Sequence, residues 1–314
     1  MKNLKEKLKV IVDDIGDSKV HYLDYPLHYN IGDLLIYLGT ESFFEDNNIN
    51  VIGRYTLYEA NSDWVTNKIK DDDVIIFHGG GNFGDIYEVC QDLRHNIIKK
   101  FPNNKIIILP QSVHFNSLNK RKISQSIHRN HQNLSIFVRD IESYEIVKDY
   151  STKVMLMPDM AHYLYGSKFL EILKSETNIE HSDLFLSRTD KEISNIPRSS
   201  TPEGTVNFDW FDLVSIRDEL KRKVINVLLR TIGKRINLSS ILSKLWLKQS
   251  KKMAIVGGRK ILSTDHLYTN RLHGMIFAHL LDKKVNVTDN SYGKNSRYYN
   301  LWLNKLGMAV WNKK

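Results

Sequence analysis

Val74-Ile75-Ile76-Phe77-His78-Gly79-Gly80-Gly81-Asn82-Phe83-Gly84-Asp85 decides how this chain folds. Its first four residues are apolar without polar alternation, the mark of a strand covered on both faces. The glycines that follow let backbone approach a ligand and expose N–H groups. The spacing is not G-x-G-x-x-G and no G-K-[ST] follows, so neither a dinucleotide site nor a P-loop is indicated. A binding loop is the expectation, with a tight strand-to-helix turn as the alternative.

The same grammar recurs on either side. Ile106 to Leu109 runs into Pro110-Gln111-Ser112. Ile136 to Val138 runs into Arg139-Asp140 and a helix-like Ile141 to Lys148, and Val154 to Met157 runs into Pro158-Asp159. In the second half, Asp183 to Ser187 runs into Arg188, Lys260 to Thr264 reads as a strand before a Thr269 to Leu281 helix, and Val285 to Thr288 runs into Asp289-Asn290-Ser291-Tyr292-Gly293. Buried strands alternating with helices imply parallel α/β sheets, with functional loops at the strands' carboxyl ends. The fold expected is α/β, with two doubly wound Rossmann-like domains joined near residues 165–182. The N-terminal domain would cover residues 1–170 and the C-terminal domain 171–295. Residues 296–314 hold an aromatic, helix-like stretch that is a candidate to cross back.

With 314 residues, 41% hydrophobic and 26% charged, the composition is that of an ordinary globular protein. Cys90 is the only cysteine, so no intrachain disulfide can form. Met1 to Lys9 lack a signal-peptide core, and the longest apolar runs are strand-sized. The expectation is a soluble, cytoplasmic chain. The net charge of +9 is concentrated: residues 217–252 hold eleven Lys/Arg and two acids, and the rest of the chain balances.

Several residues suit anion and proton chemistry. Arg271 and His273 open a helix in Thr269-Asn270-Arg271-Leu272-His273-Gly274, where the helix dipole also favours an anion. Arg188 ends its own strand and is a second cation, unless it is a solvated surface arginine. Asn30-Ile31-Gly32-Asp33 precedes an apolar helix. Asp33 either caps that helix or faces a ligand together with Asp85. His114, His78 and His162 follow strands, and each can equally be a structural histidine. No set of residues has zinc-site spacing, so no metal is expected.

These motifs, in this order, resemble the polysaccharide pyruvyl transferase family. The matching pieces are Asn30 to Asp33, Gly79 to Asp85, Leu109 to Ser112, Arg139-Asp140 with Ser143, Pro158 to His162, Leu186 to Arg188, Arg271 to Gly274, and Asp289 to Lys294. The match looks closest to members that modify bacterial exopolysaccharides or capsules. The resemblance implies a GT-B-like pair of domains facing across a cleft, phosphoenolpyruvate as co-substrate, a saccharide acceptor (lipid-linked in one version), and pyruvate installed as a ketal. No cofactor is implied. Arg188, Arg271, Leu272 and His273 would contact the donor. The family usually has Asp before Arg-Leu-His, and this chain has Asn270.

Ketal formation needs an acid and a base. His273 is the candidate donor-side acid or phosphate ligand, and His114 the candidate acceptor-side base. Asn30, Gly32, Asp33, Gly80, Gly81, Asn82 and Asp85 are candidates to orient acceptor hydroxyls. The basic segment interleaves its cations with Val224, Leu228, Leu229, Ile232, Ile241, Leu242, Leu245 and Trp246. It is either a solvated face or an element that lies on an anionic membrane leaflet. Two rivals stay open: a GT-B glycosyltransferase using a nucleotide sugar, and a non-enzymatic nucleic-acid or membrane-surface module. The latter leaves the glycine-rich and Arg-Leu-His motifs unexplained, so no nucleic acid is expected.

Overall fold

The structure, a computed structural model, describes residues 1–175, 179–188, 202–231, 238–289 and 293–311. Two parallel sheets organise it. The first holds β1 (Val20–Leu23), β2 (Val51–Tyr55), β3 (Val74–Phe77), β4 (Gly80–Gly84), β5 (Ile106–His114), β6 (Leu134–Val138) and β7 (Lys153–Leu156), in the order β2-β1-β3-β5-β6-β7. β4 pairs with the far half of β5. The second sheet holds β8 (His181–Leu186), β9 (Val206–Phe208), β10 (Thr264–Thr269), β11 (Val285–Val287) and β12 (Ala309–Trp311), in the order β12-β11-β10-β8-β9. Every pairing is parallel. This is the Rossmann-like α/β class expected from the alternation of apolar runs and helices.

The helices that matter for the site are α1 (Ile31–Asp46), α2 (Glu88–Lys100), α3 (Ile141–Val147), α4 (Ile216–Thr231), α5 (Ser239–Leu262) and α6 (Leu272–Leu280). α1 is apolar on nearly every side and is shared between two cores. Its Ile31, Leu35 and Leu38 pack with Leu184, Leu186 and Met275 of the second-sheet core. Its Leu34, Ile36, Tyr37, Phe43 and Phe44 pack with Val74, Ile76 and Ile107 of the first. Close approach depends on glycine: a Cβ at Gly39 would lie 2.1 Å from the Met160 carbonyl oxygen. A third cluster fills the other face of the first sheet.

Four local expectations are corrected. Lys260 to Leu262 end the long helix α5, and the strand begins at Thr264. Gly257 and Gly258 seat that helix, since a Cβ at either would lie 2.7 Å from Ile31 or Leu173. Tertiary packing overrides the local β preference of Ile261-Leu262. The helix expected from Thr269 begins at Leu272, because Thr269 still belongs to β10. The Gly80 to Gly84 stretch is itself a strand, and Pro110-Gln111-Ser112 lies inside β5. Gly80 and Gly84 adopt φ of 125° and 130°, which residues bearing a Cβ rarely adopt.

The C-terminal stretch is helical from Lys294 to Leu306. Its Trp302 Nε1 donates to the Arg139 carbonyl, 2.8 Å away at the end of β6. Replacing Gly84 with Ala would put a Cβ 1.7 Å from the His114 carbonyl oxygen. Gly84→Ala is therefore expected to lower stability by about 2 kcal/mol or more. Urea denaturation reads the loss, and an unchanged midpoint would contradict this account of the β4–β5 pairing.

Candidate active site

A cavity of about 460 Å³ opens at the carboxyl ends of the strands. The first sheet contributes Asp24 after β1, Thr56 and Tyr58 after β2, and His78, Gly79, Gly81 and Asn82 around β3–β4. The second contributes Arg188 after β8, Trp210 and Phe211 after β9, and Arg271, Leu272 and His273 after β10. α1 adds Gly32 and Asp33, and α4 adds Arg222 and Asn226. Residues far apart in sequence thus meet where parallel sheets present their ligand-binding loops.

Asp159 holds this arrangement from behind and is fully buried. One carboxylate oxygen, Oδ2, accepts from Arg139 Nη1 and lies 3.1 Å from His273 Nε2. Oδ1 accepts from the Ala161 N–H at 2.9 Å, and the Asp159 N–H meets the Tyr298 hydroxyl at 2.9 Å. Burial alone would raise this carboxyl, but the charges of His273 and Arg139 outweigh it and hold Asp159 far below the usual carboxylate range. A carboxylate at Nε2 makes that nitrogen the proton-bearing one. Nδ1 then lies on the side of Gly32, where a Cβ would come within 2.8 Å of it. Gly32 therefore makes room for the histidine.

The cationic wall is fixed by carboxylate and amide partners. Arg271 Nη2 donates to Asp209 Oδ2 at 2.6 Å, and its backbone N–H donates to Thr269 Oγ1 at 3.0 Å. Asn270 accepts from the Arg188 N–H at 2.9 Å. The arginine's carboxylate partner is thus Asp209, which the sequence reading had not singled out, and Asn270 positions the backbone of Arg188.

On the opposite wall, Asn82 Nδ2 donates to Asp24 Oδ2 at 3.0 Å. Its Oδ1 accepts from Gln111 Nε2 at 3.1 Å and from the fully buried Arg94 of α2. Gln111 also donates to the His78 carbonyl at 2.7 Å. Asp24 sits in the left-handed region with φ 66°. Burial raises its carboxyl to about 6, against the lowering effects of Arg94 and Asn82. His78 meets the Tyr22 hydroxyl at 2.6 Å through Nδ1, while its Nε2 has no partner among the described residues. Burial pushes it down to about 3, so it is neutral.

Among the expected acceptor residues, Asn30, Gly32, Asp33, Gly81 and Asn82 line the cavity. Gly80 lies beside them, with its Cβ position 3.9 Å from Asp33 Oδ1. Asn30, not Asp33, caps α1, accepting from the Gly32 N–H at 3.1 Å. Asp85 does not line the cavity; it accepts from the N–H groups of Asn116 and Ser117, each at 2.8 Å. His114 also stands apart, in a small crevice with Ser112 and Asp140, 3.1 Å from Asn116 Oδ1. Because β5 continues past Pro110 as far as His114, that side chain is carried past the cavity. His162 is buried against the Tyr298 hydroxyl at 2.8 Å. Asn290, Ser291 and Tyr292 lie outside the described residues, as do Thr189 and Asp190. Among the described residues, no three His, Cys, Asp or Glu side chains converge as metal ligands, and no helix is long and apolar enough to cross a membrane.

Asp24 and Asp209 were the main omissions. Asp24 follows the strand Val20 to Leu23, whose polar His21 hid it; an acid just after a buried strand was the available signal.

The fold and site define an α/β protein with a cationic, histidine-bearing cavity between two parallel sheets. The family model for polysaccharide pyruvyl transferase matches residues 30–292, and the chain belongs to that family. It is 34% identical over 309 residues to a protein of Bacillus subtilis (strain 168) named "Putative pyruvyl transferase EpsO", covering 96% of this chain and 91% of the relative. It is 28% identical to "Pyruvyl transferase 1" of Schizosaccharomyces pombe, covering 92% and 70%. A solved structure of an uncharacterised Klebsiella pneumoniae protein matches with a TM-score of 0.66 at 22% identity, covering both chains fully. That likeness concerns the fold alone.

Two stability predictions follow from the buried carboxylates. Asp159→Ala leaves Arg139 buried without its carboxylate and is expected to cost about 3–5 kcal/mol, read by urea denaturation; a loss under about 1 kcal/mol would contradict the role of Asp159. For Asp24 the folded pKa is raised, so ionising it opposes folding. Stability is lost as pH rises from about 4 to about 6. Asp24→Asn is expected to be more stable than wild type by roughly 1–3 kcal/mol at neutral pH, the gap closing near pH 4. Denaturation at the two pH values tests this, and a variant less stable at neutral pH would contradict it.

Proposed function

We propose that this chain transfers pyruvate from phosphoenolpyruvate onto two hydroxyls of one sugar, as a ketal, on a cell-surface polysaccharide or its lipid-linked precursor. Family membership supports pyruvyl transfer to polysaccharide. The observation that carries the finer reading is the meeting of Arg188, Arg271 and His273 in one cavity, with His273 fixed by Asp159. Phosphoenolpyruvate brings a carboxylate and a phosphate, and planar guanidinium groups suit both. In this reading the two sheets act as the lobes of a GT-B-like protein. The donor lies on the second-sheet side, in residues 171–295, and the acceptor on the first-sheet side, in residues 1–170.

The chemistry then balances. His273, doubly protonated with its Nε2–H held by Asp159, gives its Nδ1 proton to the methylene carbon of the enol. A sugar hydroxyl attacks the adjacent carbon and yields its proton to Asp24, whose carboxyl, raised to about 6, is ionised at neutral pH yet still basic. The bond from that carbon to the phosphate oxygen breaks and inorganic phosphate leaves. A second hydroxyl of the same sugar closes the ketal, and its proton leaves with phosphate or to solvent. Asp24 takes the base role first considered for His114, because Asp24 lines the cavity and His114 does not. Asn82 positions Asp24, while Asn30 and Asp33 orient acceptor hydroxyls. Arg188 and Arg271 supply the positive charge, so no metal or organic cofactor is invoked, and complete loss of turnover in chelator would contradict that.

Saccharide-dependent phosphate release from phosphoenolpyruvate tests the reading. His273→Ala and Asp24→Asn should each lower kcat about 10²–10⁴-fold, whereas His114→Ala should lower it only a few-fold. Near-normal turnover by His273→Ala would remove it from the chemistry. Thermal stabilisation by uridine or guanosine diphosphate sugars, with none by phosphoenolpyruvate, would favour a glycosyltransferase instead.

A further inference from the structure

α4 shows three different faces. Ile225 and Leu229 are buried in the core. Arg222 and Asn226 face the cavity. The third face is apolar yet uncovered: Ile216 is 89% exposed, Leu220 61%, Val224 50% and Val227 56%. Their i, i+4, i+8, i+11 spacing puts them on one stripe of the helix. At 3.6 residues per turn, Arg217 and Lys221 fall along one edge of that stripe and Lys223 and Arg230 along the other. All four cations are exposed. An apolar stripe flanked on both sides by Lys and Arg is the pattern of a helix lying in a lipid headgroup layer.

The stripe runs up to the mouth of the site. Arg230 stands 4.1 Å from the ring centroid of Tyr58, which is exposed and also lines the cavity. Phe211, half exposed, lines both the cavity and a groove shared with Ile216. Tyrosine and phenylalanine at such a rim suit the boundary between headgroups and acyl chains. The neighbouring α5 exposes Ile241 and Leu245 beside Lys244 and Lys248. Residues 217–252 carry the chain's whole positive excess, eleven cations against two acids. Of those acids, Asp218 is tied to Lys252 at 2.8 Å and Glu219 to Arg222 at 2.7 Å. The surface therefore complements an anionic one.

We propose that α4 docks on an anionic phospholipid bilayer, its apolar stripe at the headgroup level, and holds the cavity mouth against that surface. An acceptor carried on a membrane lipid would then reach the cavity without leaving the bilayer. That consequence rests on the transfer reading above, while the docking itself does not.

Sedimentation of the full chain with vesicles tests the docking. The protein is expected to pellet with phosphatidylglycerol-rich vesicles at low salt, to be released at high salt, and to stay in solution with pure phosphatidylcholine. Leu220→Glu with Val224→Glu, both outside the cavity, should weaken binding tenfold or more. Lys221→Ala with Lys223→Ala should weaken it about thirtyfold, from about 1 kcal/mol per cation. Both variants should keep the wild-type circular dichroism and wild-type turnover on a soluble saccharide, so a failure of docking is read separately from a failure of the chemistry. Absence of wild-type binding at low salt, or equal pelleting by the Leu220→Glu, Val224→Glu variant, would overturn the proposal. So would a wild-type dimer in sedimentation velocity that this variant abolishes, since a second copy would then cover the face. Tighter retention on duplex DNA than on anionic vesicles would count against it in the same way.

Discussion

The whole site hangs on a carboxylate that never touches the cavity. Asp159 is buried completely, and burying a charge is tolerable only when partners replace the water it loses. Here the charge partners come from different parts of the chain, Arg139 at the end of β6 and His273 at the start of α6, while the Asp159 backbone N–H donates to Tyr298 near the C-terminus. Satisfying that charge joins the first sheet to the second, and the backbone of the same residue ties in the final helical stretch. It also decides which ring nitrogen of His273 carries the proton. α1 supports the same junction, lending one set of side chains to each core and opening at Gly32 to admit the histidine ring.

Many of the recurrent motif residues act one step behind the cavity. Asp140 accepts from the Ser143 N–H at 2.8 Å and caps α3, while Ser143 Oγ accepts from the Val113 N–H at 2.8 Å. Gln111 and Arg94 hold Asn82, and Asn82 holds Asp24. Asp209 holds Arg271, and Asn270 holds the backbone of Arg188. Preorganisation of this kind means that little reorganisation is left to the moment of reaction. Asp24 shows the opposite side of that design. Its left-handed backbone and the burial that raises its pKa both disfavour the folded state at neutral pH.

The fold class was legible because strands such as Val74 to Phe77 and Ile136 to Val138 are apolar throughout, a pattern that only a sheet covered on both faces requires. β1 and β2 were not legible: His21 and Arg54 interrupt them, and each is satisfied only by a distant partner, Asp73 and Glu41 respectively. The helical fate of Lys260 to Leu262 was hidden for a related reason, since only packing against Ile31 and Leu173 explains Gly257 and Gly258. Of the site, Arg188, Arg271 and His273 could be singled out from their places at strand ends and a helix start. His114 and Asp85 looked equivalent to them in sequence. Whether a side chain leaves a strand towards the cavity or away from it depends on how far the strand continues, and β5 runs on through His114.

The central claim is that Asp159, from outside the cavity, aims His273 at a three-carbon phosphate ester held by Arg188 and Arg271. A crystal structure of the protein soaked with phosphoenolpyruvate measures this most directly. The account predicts density for the ligand within hydrogen-bond reach of both guanidinium groups and the His273 ring, with His273 Nε2 still on Asp159. Ligand density elsewhere, or a His273 ring turned off Asp159 and away from the ligand, would contradict it.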